Sequence, residues 1–316
     1  MNYRQFGKTD LQLSETGFGA WAIGGKSYGK VDKKESLAAL AKAEELGCNF
    51  IDTAPVYGNS EIVLGEFLKG RRNKWLIATK YSGGSKNLPE SAEEQLKRLQ
   101  TDVIDLYQIH WVPREQEFYN DLYKLKKQGK IRYCGVSLYN ASDIDFVLDN
   151  NLVDGFQVPF SLLDPFPFLK RLDKIIEHNP GVIIRSALKM GFLSGKFNAE
   201  TVFKDSDDQR SKLTINEINK LLSSVGHFDF LKEIFNSHVI AAAAYPLSFS
   251  ATSTLILGTK TVEQAMLNFG QIPGQRLSDA MLTRIKNVQH ELGLWKKQSY
   301  IDFLSTVKQY FKKLWF

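Results

Sequence analysis

Four residues of this sequence end or closely follow short β-favouring runs, and their types suit proton transfer. In FIDTAPVYGNSE, Phe50 to Glu61, Asp52 closes the apolar run and Tyr57 stands beside Gly58 just beyond it; Lys80 ends KWLIATK and His110 ends DVIDLYQIH. A phenol with a pKa of about 10 donates its proton poorly at neutral pH unless a neighbouring ammonium stabilises the phenolate. Lys80 suits that task. A lysine in a cleft tends to lose its own proton on desolvation, so a carboxylate such as Asp52 is needed to keep it charged and to fix its direction. His110 can hydrogen-bond a substrate oxygen and orient it toward the phenol. The set is what an enzyme needs to add or remove a proton at an alcohol or carbonyl oxygen.

These side chains meet only if the chain folds their strand ends together. Eight β-rich runs (TGFGAW, CNFIDTA, KWLIATK, DVIDLYQIH, IRYCGVSL, VDGFQV, GVIIRSA, STLILGT) alternate with stretches of helical period such as Lys33 to Leu46, Glu90 to Leu99 and Glu115 to Lys127. Asp32 and Ser60 can cap helix N-termini, Pro89 suits a first turn, and Gly47 and Gly129 stand where helices should stop. Strands alternating with helices over 316 residues predict an α/β fold, a (β/α)8 TIM barrel forming one domain over residues 1–316. In such a barrel the chemistry lies at the C-terminal ends of the strands. The residues expected there are Asp52 with Tyr57 just beyond, Lys80, His110, Ser137, Gln157, Arg185 with Ser186, and the turn Gly258, Thr259, Lys260. Each is polar or exposes backbone.

Composition narrows the partners. With 43% hydrophobic residues the chain can bury a full core. No apolar run approaches the roughly 18 residues of a membrane span, and Met1 to Asp10 lacks an apolar signal core, so a soluble, cytoplasmic protein is expected. Two cysteines, Cys48 and Cys134, fit neither a disulfide framework nor a zinc site, and no metal is expected. The net charge of +6 comes with no basic run interleaved with aromatics outside the C-terminus, which argues against nucleic acid as a partner. A small-molecule carbonyl or alcohol substrate and a monomer or small homo-oligomer are expected.

FIDTAPVYGNSE, IATK and LYQIH resemble the aldo-keto reductase superfamily, nicotinamide-dependent oxidoreductases built on a (β/α)8 barrel. The resemblance runs from YRQFGKTDLQLSETGFGAWAIGG through GVSLYNASDI, QVPFSLLD and FLSGKF to STLILGTKTVEQAMLNF, which covers most of the chain in order. It implies a catalytic tetrad of Asp52, Tyr57, Lys80 and His110, and hydride transfer between a nicotinamide and a carbonyl carbon with Tyr57 delivering the proton. The spacing of GFGAWAIGG is wrong for a dinucleotide fingerprint, whereas loops after the last two barrel strands commonly hold phosphate. FLSGKF offers Gly195 and Lys196; LILGTKTVEQ offers amides, Lys260 and a helix start. The resemblance places the pyrophosphate at the first loop and the adenosine 2′-phosphate at Lys260, so NADP(H) is favoured over NAD. It further implies adenine-side contacts at Gln264 and Asn268, carboxamide contacts at Ser137 and Gln157, and other cofactor contacts at Gly19, Ala20, Trp21, Asp52, Ser186, Leu188, Gly258 and Thr259.

The sequence also departs from its relatives. Leu138 stands where many have asparagine, leaving Asn140 as a substitute, and Arg185 stands where many stack a tyrosine on the nicotinamide. A guanidinium can stack there instead, so Arg185 counts among the cofactor contacts. Asp205 to Arg210 reads as a flexible polar loop. Trp21, Tyr28 and Trp111 flank the site and can pack on sugars or aryl aldehydes, which with Tyr57 and His110 makes Trp21 and Trp111 the expected substrate contacts. The C-terminal SYIDFLSTVKQYFKKLWF has helical amphipathic spacing, with Phe303, Leu304 and Val307 on one face and Lys308, Lys312 and Lys313 on another, as a helix packed on the barrel would. The function expected is NADPH-dependent reduction of an aldehyde or ketone, sugar-like molecules included. The alternative is a regulatory or interaction protein that keeps the barrel and the cofactor.

Overall fold

The computed structural model describes residues 1–25 and 31–295; Tyr28 and the amphipathic C-terminal segment lie outside the described residues. A two-stranded antiparallel hairpin comes first, β1 (Tyr3–Gln5) and β2 (Gln12–Ser14). Eight parallel strands follow: β3 (Thr16–Gly19), β4 (Phe50–Asp52), β5 (Leu76–Tyr81), β6 (Ile104–Ile109), β7 (Ile131–Ser137), β8 (Gly155–Pro159), β9 (Gly181–Arg185) and β10 (Thr254–Gly258). They close into a barrel in chain order, with β10 pairing β3. This is the (β/α)8 barrel that the alternation predicts, and each of the eight β-rich runs overlaps one barrel strand.

The helix signals act largely where they were read. Asp32 accepts from the Lys34 amide at the head of helix Lys33–Glu45, and Gly47 and Gly129 take left-handed backbone just past their helices. Asn87 and Glu90 form a reciprocal capping box ahead of helix Leu88–Leu99, with Pro89 in its first turn. Ser60 is a correction: it is the first residue of helix Ser60–Leu68, after Asn59, and its hydroxyl instead donates to the Ala20 carbonyl at 3.0 Å and pairs with Thr53. Tertiary partners outcompete the cap. Cys48 and Cys134 are buried free thiols whose pKa values burial pushes up to about 12. No helix among the described residues is long and apolar enough to cross a membrane.

What positions the site is the alternation inside the barrel. Phe50, Ala78, Leu106 and Ile183 form an apolar interior layer with Phe6, Leu11 and Leu13 of the hairpin. Successive strand side chains alternate faces, so the inward position two residues further along each strand belongs to Asp52, Lys80, Gln108 and Arg185. One layer is hydrocarbon; the next is polar. The hairpin stops the lower end, with fully buried Phe6 set against β8 and β9, where a Cβ added at Gly155 or Gly181 would come within 2.3 or 2.4 Å of its ring. Phe6→Ala should therefore destabilise the fold by about 3–5 kcal/mol through lost burial and an unfilled cavity. Urea denaturation at neutral pH checks this, and a loss below about 1 kcal/mol would show that the plug carries little.

Candidate active site

At the centre of the polar layer lies an ion pair removed from water. Lys80 and Asp52 are 0% and 1% exposed, and Lys80 Nζ donates to Asp52 Oδ1 at 2.6 Å and to the Thr53 carbonyl at 2.8 Å. Asp52 Oδ2 accepts from Gln108 Nε2 at 3.1 Å and from Gln157 Nε2 at 2.9 Å, so both carboxylate oxygens are occupied. Burial lowers the Lys80 pKa from its ordinary value, and Asp52 acts against that shift. Lys80 Nζ stands 5.2 Å from the centre of the Tyr57 ring, which also meets Trp21, stacked at 5.2 Å, and His110, edge-on at 6.1 Å. Asp52, Tyr57 and His110 line one cavity, with Lys80 behind them. The four residues selected for proton chemistry are thus brought together.

His110 is held neutral. Burial first, then the charges of Lys80 and Arg185, pull its pKa well below 6.5, and its Nδ1 pairs with Ser82 Oγ at 2.9 Å. A neutral imidazole here orients an oxygen by hydrogen bonding and leaves the proton itself to another group.

The cavity, about 420 Å³, opens from these residues along the strand ends. Gly19, Trp21, Gln157, Arg185, Ser186 and Leu188 line it, as do Lys196, Gly258, Lys260, Gln264 and Asn268. Four expected cofactor contacts do not line it. Ala20 is buried and gives its carbonyl to Ser60, and Thr259 accepts from Asn268 Nδ2 at 2.9 Å. Gly195 turns the chain with φ of 73° against the His238 ring, where a Cβ would approach to 2.5 Å. Ser137 is fully buried beside Gln157 in register, its Oγ without a hydrogen-bond partner. Trp111 is outside the lining too, packed on Tyr81 and Phe118 at 5.6 Å from each, because Tyr81 at the end of β5 and Phe118 in helix Gln116–Lys127 capture it.

Other expectations are corrected in detail. The Gln157 amide nitrogen is engaged by Asp52. Asn140 does not replace the contact missing at Leu138, since its amide donates to Asp143 at 3.0 Å and it does not line the cavity. The Arg185 guanidinium lies 4.6 Å over the Tyr139 ring and donates to the Leu138 carbonyl at 3.1 Å. Lys260 precedes a four-residue helix, Val262–Ala265, that passes into a π-helix, Met266–Gln271, with Thr261 accepting from the Gln264 amide. The segment Asp205 to Arg210 is not a featureless loop. Arg210 grips Asp208 with Nε at 2.9 Å and Nη2 at 2.5 Å and lies over Phe197 and Phe203, and it lines the cavity. Charge alone hides that pairing, because the aromatic partners lie upstream in the sequence. Gln108 and Ser82 were missed as well. Gln108 had a readable signal, as a polar residue two positions before His110 on the same inward face.

The sequence model of the Aldo/keto reductase family matches residues 15–290. The chain belongs to this family. It is 33% identical to aldo-keto reductase YhdN of Bacillus subtilis over 73% of this chain and 76% of that protein. It is 29% identical to an NADH-specific methylglyoxal reductase of Escherichia coli over 90% of this chain and 98% of the other. Among solved structures, a glycerol dehydrogenase of Gluconobacter oxydans superposes with a TM-score of 0.75 at 28% identity, covering 92% of this chain and 95% of that one.

Aldo-keto reductases are oxidoreductases that use nicotinamide cofactors, and the cavity fits such a group. Arg185, Lys196, Arg210 and Lys260 line it, whereas the lining carboxylate, Asp52, is already occupied, a donor set suited to a polyanionic dinucleotide. Gln209 Nε2 in the lining, without a hydrogen-bond partner, is a polar atom that a ligand can satisfy. Burial and the charge of Arg210 lower the Lys260 pKa, as expected of cations gathered where an anion should sit.

A buried neutral histidine makes this reductase fold sensitive to acid. Below pH 6.5 the unfolded imidazole gains a proton that folded His110 does not, so stability present above that pH is lost as pH falls. Urea unfolding from pH 6.5 to about pH 5 should show the parent losing up to about 2 kcal/mol more than His110→Gln. Equal losses would show that His110 titrates alike folded and unfolded.

Proposed function

We propose that this chain reduces the carbonyl of an aldehyde or ketone to an alcohol with NADPH, using Asp52, Tyr57, Lys80 and His110. The observation that carries the reading is the buried Lys80 ammonium, fixed by Asp52 at 2.6 Å and set 5.2 Å from the Tyr57 ring in the cavity wall. Bound NADPH would supply a hydride to the carbonyl carbon. Tyr57 gives its phenolic proton to the carbonyl oxygen, and Lys80 stabilises the phenolate left behind. Asp52, gripped by Gln108 and Gln157, keeps Lys80 aimed. Neutral His110 donates a ring N–H to the same oxygen and sets its approach. Trp21, stacked on Tyr57, offers a flat apolar wall to a small substrate.

The preference for NADPH rests on local charge. One relative is named for NADH, so membership alone does not decide between the cofactors. Lys260 lines the cavity close enough to Arg210 for that charge to lower its pKa, and an extra phosphate would relieve the crowding.

The reading is tested by NADPH oxidation against a panel of aldehydes, ketones, aldoses and dicarbonyls. Tyr57→Phe should lower turnover on the order of 10²–10⁴-fold and leave NADPH affinity within about twofold, because the phenol acts on the substrate oxygen. Comparable turnover in variant and parent would end the assignment. Lys260→Ala should remove a charge-assisted contact of roughly 1.5–3 kcal/mol, weakening NADPH binding by tens of fold and barely touching NADH. Fluorescence titration with both cofactors checks this, and equal loss for both would refute the preference.

A further inference from the structure

Ser82 is the first residue after β5, and His110 the first after β6, so the two leave adjacent strands side by side. The His110 amide donates to the Tyr81 carbonyl at 2.9 Å, which ties the two exits together. Both residues are 5% exposed, and Ser82 Oγ lies 2.9 Å from His110 Nδ1. Two arrangements of that bond exist. Either the hydroxyl donates to a bare Nδ1, leaving hydrogen on Nε2, or Nδ1–H donates to the hydroxyl and Nε2 is bare. In the second case the serine hydrogen needs another acceptor, and no other side-chain hydrogen bond of Ser82 occurs among the described residues. A buried hydroxyl without an acceptor loses its hydration with no bond to replace it. The first arrangement satisfies both groups.

We propose that Ser82 is a positioning residue for the carbonyl reduction assigned above: it donates its hydroxyl hydrogen to His110 Nδ1 and so holds the imidazole in the Nε2–H form, whose N–H serves the substrate oxygen. Ser82 does not line the cavity and touches the reaction only through His110. The opposite tautomer would turn a lone pair toward the carbonyl oxygen and repel it, so the geometry of the triad of proton donor, oxygen and imidazole depends on which nitrogen carries the hydrogen. The proposal rests on the reductase reading for its role in turnover, but the tautomer is a property of the protein alone.

The experiment is nitrogen-15 NMR of histidine-labelled protein at neutral pH, with the His110 resonances assigned by their disappearance in His110→Gln. The parent should show His110 as the Nε2–H tautomer, and Ser82→Ala should show a mixture of both. Turnover of Ser82→Ala on the best carbonyl of the panel should fall on the order of tenfold with NADPH affinity unchanged, since an orienting partner is lost while the imidazole remains. Ser82→Thr, which keeps the hydroxyl, should restore both tautomer and rate. An Nδ1–H tautomer in the parent would overturn the proposal, and so would Ser82→Ala with parental tautomer and rate, or a rate loss that Ser82→Thr leaves unrepaired. If Ser82→Ala fails to fold, the parent spectrum and Ser82→Thr still decide. Absence of turnover on every carbonyl would count against the reductase reading while leaving the tautomer measurement intact.

Discussion

Everything at the barrel mouth hangs on one contact, the 2.6 Å bond between Lys80 and Asp52 out of reach of water. Burying both charges costs several kcal/mol per ion, and their attraction offsets this only when the remaining lone pairs and protons are also satisfied. The structure meets that condition with Thr53, Gln108 and Gln157 around the pair and Gln95 holding the Lys80 carbonyl. Behind Lys80, Thr79 and Arg98 hold the buried Glu61, whose negative charge acts to keep the lysine protonated. Four strands contribute to this cluster, β4, β5, β6 and β8, and only a closed barrel brings them to one place. A hydrophobic quartet would be as stable in such a position. The arrangement makes sense as chemistry held in shape.

The alternation of β-rich and helix-periodic runs made the barrel legible, and with it the strand ends, because local patterning and barrel topology point the same way. Asp52, Tyr57, Lys80 and His110 were legible for the same reason: their types make little sense elsewhere. The hairpin plug was not, since YRQ and QLS are too short to show a period, and its meaning lies in Phe6 meeting two glycines far along the chain. Ser60, Asn140 and Trp111 misled for a common reason. Each has a side chain able to serve locally or at the site, and a tertiary neighbour invisible in the sequence took it. Arg210 is the converse, a charged residue in a polar stretch that two phenylalanines and an aspartate fix in the cavity wall.

Backbone strain gathers where β9 opens into the cavity. Ser186, Lys189 and Met190 have φ of 60°, 44° and 55°, the left-handed region that side chains ordinarily avoid. The buried contact between Lys189 and Asp164 at 3.4 Å anchors that turn to the segment after β8. Strain of this kind persists where the surroundings over-determine the chain, and here it sets the curve of the wall from Ser186 to Met190.

The barrel seam joins β3 to β10, so Leu255 must find Thr16 across nearly the whole chain. A growing polypeptide on the ribosome therefore carries β3 with one unpaired edge until β10 has been made. At about 5–20 residues per second that wait is on the order of 10–50 s. Throughout it the half-built sheet offers exposed amides and carbonyls to any neighbouring chain. The ion pair of β4 and β5 can form early, but the ring that shields it closes only once β10 has been made.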